Sequence, residues 1–184
     1  MSEKWNRRQY IKENFRSSFQ FLGAIIGATI EQERTFIRPP GSGDELAFLA
    51  TCTRCGTCAD VCPTNTISLF SVEYGSKLAG TPFLNPNEVP CDFCSRCIDY
   101  CPTGALEPIA KNEKLGIAEM VQFNCLAFKG TMCDYCVRAC PLGTAAITIE
   151  DGIPIINEKN CNGCGHCVSA CVQTHKGIYV RTIE

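Results

Sequence analysis

Histidine, tryptophan and long apolar runs are scarce in this 184-residue sequence. Each shortage excludes something. His166 and His175 do not form the paired ligands of a finger-type zinc site. No apolar run approaches the roughly 18 residues that a full membrane span needs, so a multi-pass membrane protein is excluded. The formal charge is only −2, which leaves no basic footprint for nucleic acid. Ordinary core material is short as well. The hydrophobic share of 45% counts cysteine, and without it falls to about 36%. One or two domains of this size need help beyond apolar burial. Fifteen glycines and ten prolines spread along the chain predict turns and short elements, not long helices.

What the chain has in excess is cysteine: 16 residues, nearly 9%. They fall into four groups of four: Cys52, Cys55, Cys58, Cys62; Cys91, Cys94, Cys97, Cys101; Cys125, Cys133, Cys136, Cys140; and Cys161, Cys164, Cys167, Cys171. Groups one, two and four share the spacing C-x2-C-x2-C-x3-C, and group three stretches its first interval to seven residues. A cubane iron–sulfur cluster needs one thiolate for each of four irons, and two-residue intervals let one tight loop supply three of them. The fourth cysteine is expected at the start of the next helix, pointing toward a second cluster, as in two-cluster ferredoxins. Pro63, Pro102 and Pro141 follow the fourth cysteine and redirect the chain; Val172 stands in that place in group four.

Disulfides would require partners in separate segments, and zinc prefers two separated pairs, whereas these quartets are nearly contiguous. Four [4Fe–4S] clusters would use all sixteen thiols. No iron is then left open to a substrate, so electron relay is expected and a catalytic site is not. The motifs recur every 34 to 39 residues. Short phrases follow them: Thr66–Leu69, Gly104–Leu106, Ala145–Thr148 and Gly177–Val180, read as a short helix and then a short strand. Ala146 to Ile156 alternates around Asp151-Gly152, a strong hairpin signal. The linkers from Thr66 to Val89 and from Ala105 to Phe123 read as looser hairpins. The fold class is therefore α+β, tandem bacterial-type ferredoxin modules, over residues 44–184. Sharing the fourth cysteine requires the motifs to pair, either as neighbours or nested, one with four and two with three. Both orders fit the spacing.

Residues 1–38 differ in kind. Lys4, Arg7, Arg8, Lys12 and Arg16 precede an apolar stretch from Phe19 to Ile30, the layout of an export signal. Asn6 to Lys12, with Arg7-Arg8 and Tyr10, resembles the twin-arginine motif, whose route carries folded cargo. A cluster protein assembled in the cytoplasm would need such a route to reach the periplasm. The segment is expected to be cleaved or kept as an anchor beside a membrane partner, with Trp5 at the interface; a docking helix is the alternative. Arg38 to Gly43 reads as a linker to the folded part. Beyond it, ten basic and fifteen acidic residues give residues 39–184 a net of −5, a solvated surface or a face for a positively charged partner. His166 and His175 read as surface residues, and Tyr100 and Tyr135 as shields over the clusters.

The order of the twin-arginine leader, Arg38–Gly41 (RPPG), CTRCGTCADVCP at Cys52, Ala79–Phe83 (AGTPF), the stretched CLAFKGTMCDYCVRACP at Cys125 and CNGCGHCVSAC at Cys161 resembles the NapG/MauM family of ferredoxin-type proteins. The resemblance covers essentially the whole chain. It implies four clusters, a membrane-bound ferredoxin-type or quinol-oxidising partner, a quinol dehydrogenase type of complex, and a periplasmic acceptor in a nitrate-reductase or methylamine-type system. Two other classes are left open: a polyferredoxin subunit of a cytoplasmic or membrane-bound oxidoreductase, and an assembly factor with structural clusters.

Overall fold

A computed structural model describes residues 36–109 and 113–183. The twin-arginine-type segment, with Arg7, Arg8, Tyr10 and the run from Phe19 to Ile30, lies outside the described residues. Among the described residues no helix is long and apolar enough to cross a membrane.

The N-terminal module begins earlier than Asp44. Ile37 bridges to Leu84, and Pro39 and Pro40 are fully buried. Gly41 accepts a backbone hydrogen bond from Glu107, 2.8 Å, so residues 37–41 are clamped to the far end of their own module. Arg38 to Gly43 is therefore not a linker. The reason is a guanidinium that needs partners once buried. Arg38 is 4% exposed and donates through Nε and Nη2 to both carboxylate oxygens of Glu45, at 3.1 and 2.7 Å. Its Nη1 donates to Thr81 Oγ1 and the Pro82 carbonyl, at 2.9 and 2.6 Å. The rings of Phe36 and Phe48 lie 4.6 and 4.9 Å from the guanidinium carbon. Glu45 opens helix α1 (Glu45–Thr51), which Asp44 caps by accepting from the Ala47 amide and which buries Phe48.

Helix α2 (Thr57–Asp60) is followed by strand β1 (Ile67–Leu69), a 3-10 turn (Val72–Tyr74), strand β2 (Pro82–Leu84) and helix α3 (Arg96–Asp99). Strands β1 and β2 pair antiparallel with Ile67 opposite Leu84, as expected of a loose hairpin. Phe70, at the end of β1, stacks on Phe83 at 4.2 Å and meets Phe36 edge-on at 4.9 Å.

The C-terminal module holds strand β3 (Ile117–Met120), a 3-10 turn (Ala127–Lys129), helix α4 (Tyr135–Ala139), a 3-10 turn (Gly143–Ala145), strands β4 (Ile147–Glu150) and β5 (Ile153–Ile156), helix α5 (His166–Ser169) and strand β6 (Ile178–Arg181). The hairpin at Asp151-Gly152 is present: β4 pairs with β5, and the two turn residues have φ of 50° and 80°. The segment from Ala105 to Phe123 is not a hairpin. Its strand β3 pairs with β6 at the other end of the module, Ala118 opposite Val180. An antiparallel partner that far along the chain leaves no local turn signal. The Gly104–Leu106 phrase forms no strand, although Ala105 and Leu106 are buried.

The Arg38 cluster yields a prediction. Truncating one partner of a buried ion pair costs on the order of 3 kcal/mol, about a hundredfold in a local opening equilibrium. Arg38→Ala is therefore expected to speed amide hydrogen exchange about a hundredfold across residues 67–84. Arg138→Ala, which loses only an exposed pair with Asp134, is expected to leave those rates unchanged.

Candidate iron–sulfur centres

In the three regular motifs the residues on either side of the second cysteine have left-handed backbone: Arg54 (φ 59°) and Gly56 (80°), Phe93 (51°) and Ser95 (61°), Gly163 (72°) and Gly165 (88°). Alternating the backbone hand in this way curls a short loop and aims successive amides into its concave side, a nest for a negatively charged group. Non-glycine residues take this conformation at a cost of roughly 1–2 kcal/mol each, so three of the six positions carry strain that something in the loop's hollow must offset. In group three the stretched interval folds into the 3-10 turn at Ala127–Lys129, with Ala127 buried and Gly130 closing it at φ 80°.

The third cysteine of each group lies inside a helix: Cys58 in α2, Cys97 in α3, Cys136 in α4 and Cys167 in α5. The fourth follows that helix and does not begin the next one, contrary to expectation. Cys140 caps α4 with extended backbone (ψ 118°), as the residue before a proline must avoid the helical region.

The fourth thiols settle the pairing. Cys140 lines one pocket with Cys161, Cys164 and Cys167. Cys171 lines another with Cys125, Cys133 and Cys136. Groups three and four thus interlock as neighbours. In the N-terminal module Cys62 lies near enough to Cys91 to raise its pKa electrostatically, and Cys58 acts likewise on Cys97. Helix α2 packs on α3, and α4 on α5. Groups one and two therefore approach each other as neighbours too, and the same exchange would set Cys101 with Cys52, Cys55 and Cys58.

The fit to an iron–sulfur group rests on the donor set. Each C-terminal cavity presents four thiols and otherwise mostly apolar side chains, such as Ala118, Leu142, Ile147 and Val180 in one and Met120, Leu126, Pro154 and Ile178 in the other. Among the described residues no three His, Cys, Asp or Glu side chains converge on a single metal ion. Donors surround the sulfurs. Ala118 N–H donates to Cys161 Sγ at 3.4 Å and Gly177 N–H to Cys171 Sγ at 3.3 Å. Thr57 donates to Cys55 Sγ at 3.3 Å, while Thr64 and Thr103 meet Cys62 and Cys101 at 3.5 and 3.8 Å. The sequence reading passed over Thr64 and Thr103, though a signal existed: both stand in Cys-Pro-Thr. His166 is half-buried and opens helix α5, not a solvent-facing loop position as expected, and its Nε2 meets Asp92 Oδ1 at 2.9 Å. Tyr135 lines the Cys125 cavity but stays 55% exposed, and Tyr100 is 56% exposed, so neither is a full shield.

Burial pushes the helix-borne thiols up: Cys58 and Cys136 to about 11 and Cys97 to about 12, with neighbouring cysteines adding to the rise, and Cys167 rises further still. Burial also raises Cys91, to about 11. Burial acts upward on Cys62 and Cys101 too, but hydrogen bonds from the threonines and the following amides outweigh it and hold both below the usual thiol value. A thiol must lose its proton to bind metal, so loading iron into these sites releases protons and weakens as pH falls. Anaerobic reconstitution with iron and sulfide is expected to load more iron per chain at pH 8.5 than at pH 6.5. Equal loading at both values would contradict the burial of protonated thiols.

Two domain families match this chain. Residues 51–105 match a 4Fe–4S dicluster domain, and residues 127–172 match a second family of 4Fe–4S dicluster domains. The first match encloses groups one and two, and the second encloses group four with all of group three except Cys125, the same neighbour pairing that the cavities show. The methylamine utilization ferredoxin-type protein MauM of Paracoccus denitrificans is 43% identical over 70 residues, 38% of this chain and 31% of its own length. The ferredoxin-type protein NapG of Escherichia coli is 33% identical over 91 residues, 47% of this chain and 39% of its own. The matched region thus spans about a third of these relatives. A chain of the formate dehydrogenase–heterodisulfide reductase–formylmethanofuran dehydrogenase complex of Methanospirillum hungatei is 26% identical, with 74% of this chain and 50% of that one covered, at a TM-score of 0.31. The two dicluster domains make this an iron–sulfur protein of the 4Fe–4S ferredoxin type, similar over part of its length to the ferredoxin-type proteins MauM and NapG.

Proposed function

We propose that all sixteen cysteines hold four [4Fe–4S] clusters, and that the chain relays electrons from a membrane-bound quinol-oxidising partner to a periplasmic acceptor. One observation carries the reading: Cys140 stands with Cys161, Cys164 and Cys167, and Cys171 with Cys125, Cys133 and Cys136, so each set offers one thiol for every iron of a cubane. When bound, such a cluster supplies reversible one-electron transfer, with a potential set by hydrogen bonds to sulfur, charge and exposure.

The chain's own residues then act as holders and tuners. Thr57, Thr64 and Thr103, with the amides of Ala118 and Gly177, donate to the thiolates and favour the more negative, reduced state. The apolar walls of the C-terminal cavities limit water. The likeness to proteins named for methylamine utilization and to NapG supports a place in an electron-transfer complex, and the basic, twin-arginine-type N-terminus supports export through the twin-arginine route.

Anaerobic redox titration of the loaded chain is expected to show reversible uptake of about four electrons per chain, one for each cluster. Clusters that dithionite never reduces would contradict electron relay. For export, Arg7→Lys combined with Arg8→Lys is expected to hold the protein in the cytoplasm, read by cell fractionation. An unchanged distribution would contradict the twin-arginine route.

A further inference from the structure

The two modules touch, and they touch at ligand loops. Cys91 N–H donates to the Cys164 carbonyl at 2.8 Å. Next to it, Asp92 Oδ1 meets His166 Nε2 at 2.9 Å. Gly165, at φ 88°, is pressed so closely on Pro86 that a Cβ there would run into the Pro86 carbonyl. Asn87 locks the same edge by accepting from the Val180 amide and donating to its carbonyl, at 2.6 and 2.9 Å. The other three first cysteines turn inward to their own modules, Cys161 N–H donating to Asn157 at 2.9 Å. Cys52 N–H donates to Phe48 and Cys125 N–H to Val121, at 2.8 and 3.0 Å.

Electron tunnelling falls off steeply with distance and is helped by covalent bonds and short hydrogen bonds. Between Cys91 Sγ and Cys164 Sγ runs a path of that kind: Sγ–Cβ–Cα–N–H to O=C–Cα–Cβ–Sγ, with one 2.8 Å hydrogen bond and no through-space jump. Within each module the interlocked thiols already place two clusters side by side. Joining the modules at Cys91 and Cys164 therefore sets a single order.

We propose that this contact is the electron bridge between the modules. The quartets containing Cys91 and Cys164 are the inner pair of a linear four-site relay, and those containing Cys55 and Cys133 are its two ends. The proposal rests on the cluster reading above. In the crossing step one electron leaves the group held at Cys91, which is oxidised by one unit, and reaches the group held at Cys164, which is reduced by one, or the reverse. No bond is made or broken and no proton moves. Asp92, His166 and Gly165 are positioning residues that keep the two loops in register.

The order can be read by electron paramagnetic resonance of the dithionite-reduced, full-length chain. Replacing Cys52, Cys55, Cys133 and Cys136 by alanine removes two thiols from each end quartet. This variant is expected to keep half the iron of the unmodified chain and to show the splitting of two spin-coupled clusters. Replacing Cys91, Cys94, Cys161 and Cys164 instead is expected to keep half the iron and to show two isolated spectra without splitting. Isolated spectra in the first variant, or splitting in the second, would overturn the order. Loss of nearly all iron from both would count against the ligand quartets themselves, a separate failure. The order is then tested by Gly165→Ala, which retains every thiol while forcing the loops apart. With iron content unchanged, electron equilibration between modules after flash reduction is expected to slow at least tenfold. An unchanged rate would overturn the bridge.

Discussion

The structure depends on a thiol exchanged between neighbours. On the proposed reading, three cysteines on a curled loop do not close a cubane site, and the fourth is supplied by the motif that precedes or follows. Each half of a module is therefore incomplete until the other half has folded against it, which makes ligation and tertiary packing one event. That coupling explains how a chain with a modest apolar share keeps short elements in place. Helices of four to seven residues and strands of three or four would be marginal in isolation. Here helix α4, for instance, has a cysteine within it and another at its end, both lining cavities shared with the neighbouring motif.

Secondary contacts reinforce the thiols where ligation does not reach. The first turn of the N-terminal module is held by Arg38, whose buried guanidinium gathers Glu45, Thr81 and two phenylalanine rings. In the C-terminal module the β3–β6 pair ties the segment before group three to the segment after group four, and Ala118 of that pair also donates to Cys161. The same strand thus closes the module and tunes a thiol. Burial, with neighbouring thiols adding to it, makes Cys58, Cys97 and Cys136 weaker acids, a cost that positive iron would offset.

Cysteine spacing made the quartets and the modular α+β class legible before any coordinates, and Asp151-Gly152 made one hairpin legible to the residue. These signals are local: a loop that must wrap three thiols, or a turn that needs two left-handed residues, writes its requirement into adjacent positions. What failed was non-local. Spacing alone could not choose between neighbour and nested pairing, because the hairpin-compatible linkers fit both. Residues 105–123 read as a hairpin because nothing near β3 announces that its partner lies about sixty residues away. Arg38-Pro39-Pro40-Gly41 read as a linker from its prolines and glycine, whereas the burial of Arg38 depends on Thr81 and Pro82, far along the chain. The contact of Asp92 with His166 was equally out of reach, since it joins two loops in different modules.

The most direct test of the account is the iron and acid-labile sulfide content of the full-length protein, purified without oxygen and examined by Mössbauer spectroscopy. Four cubane sites predict about sixteen irons and sixteen sulfides per chain, all iron in tetrahedral sulfur coordination. Fewer than about twelve irons in a fully folded chain, or zinc bound in their place, would contradict it.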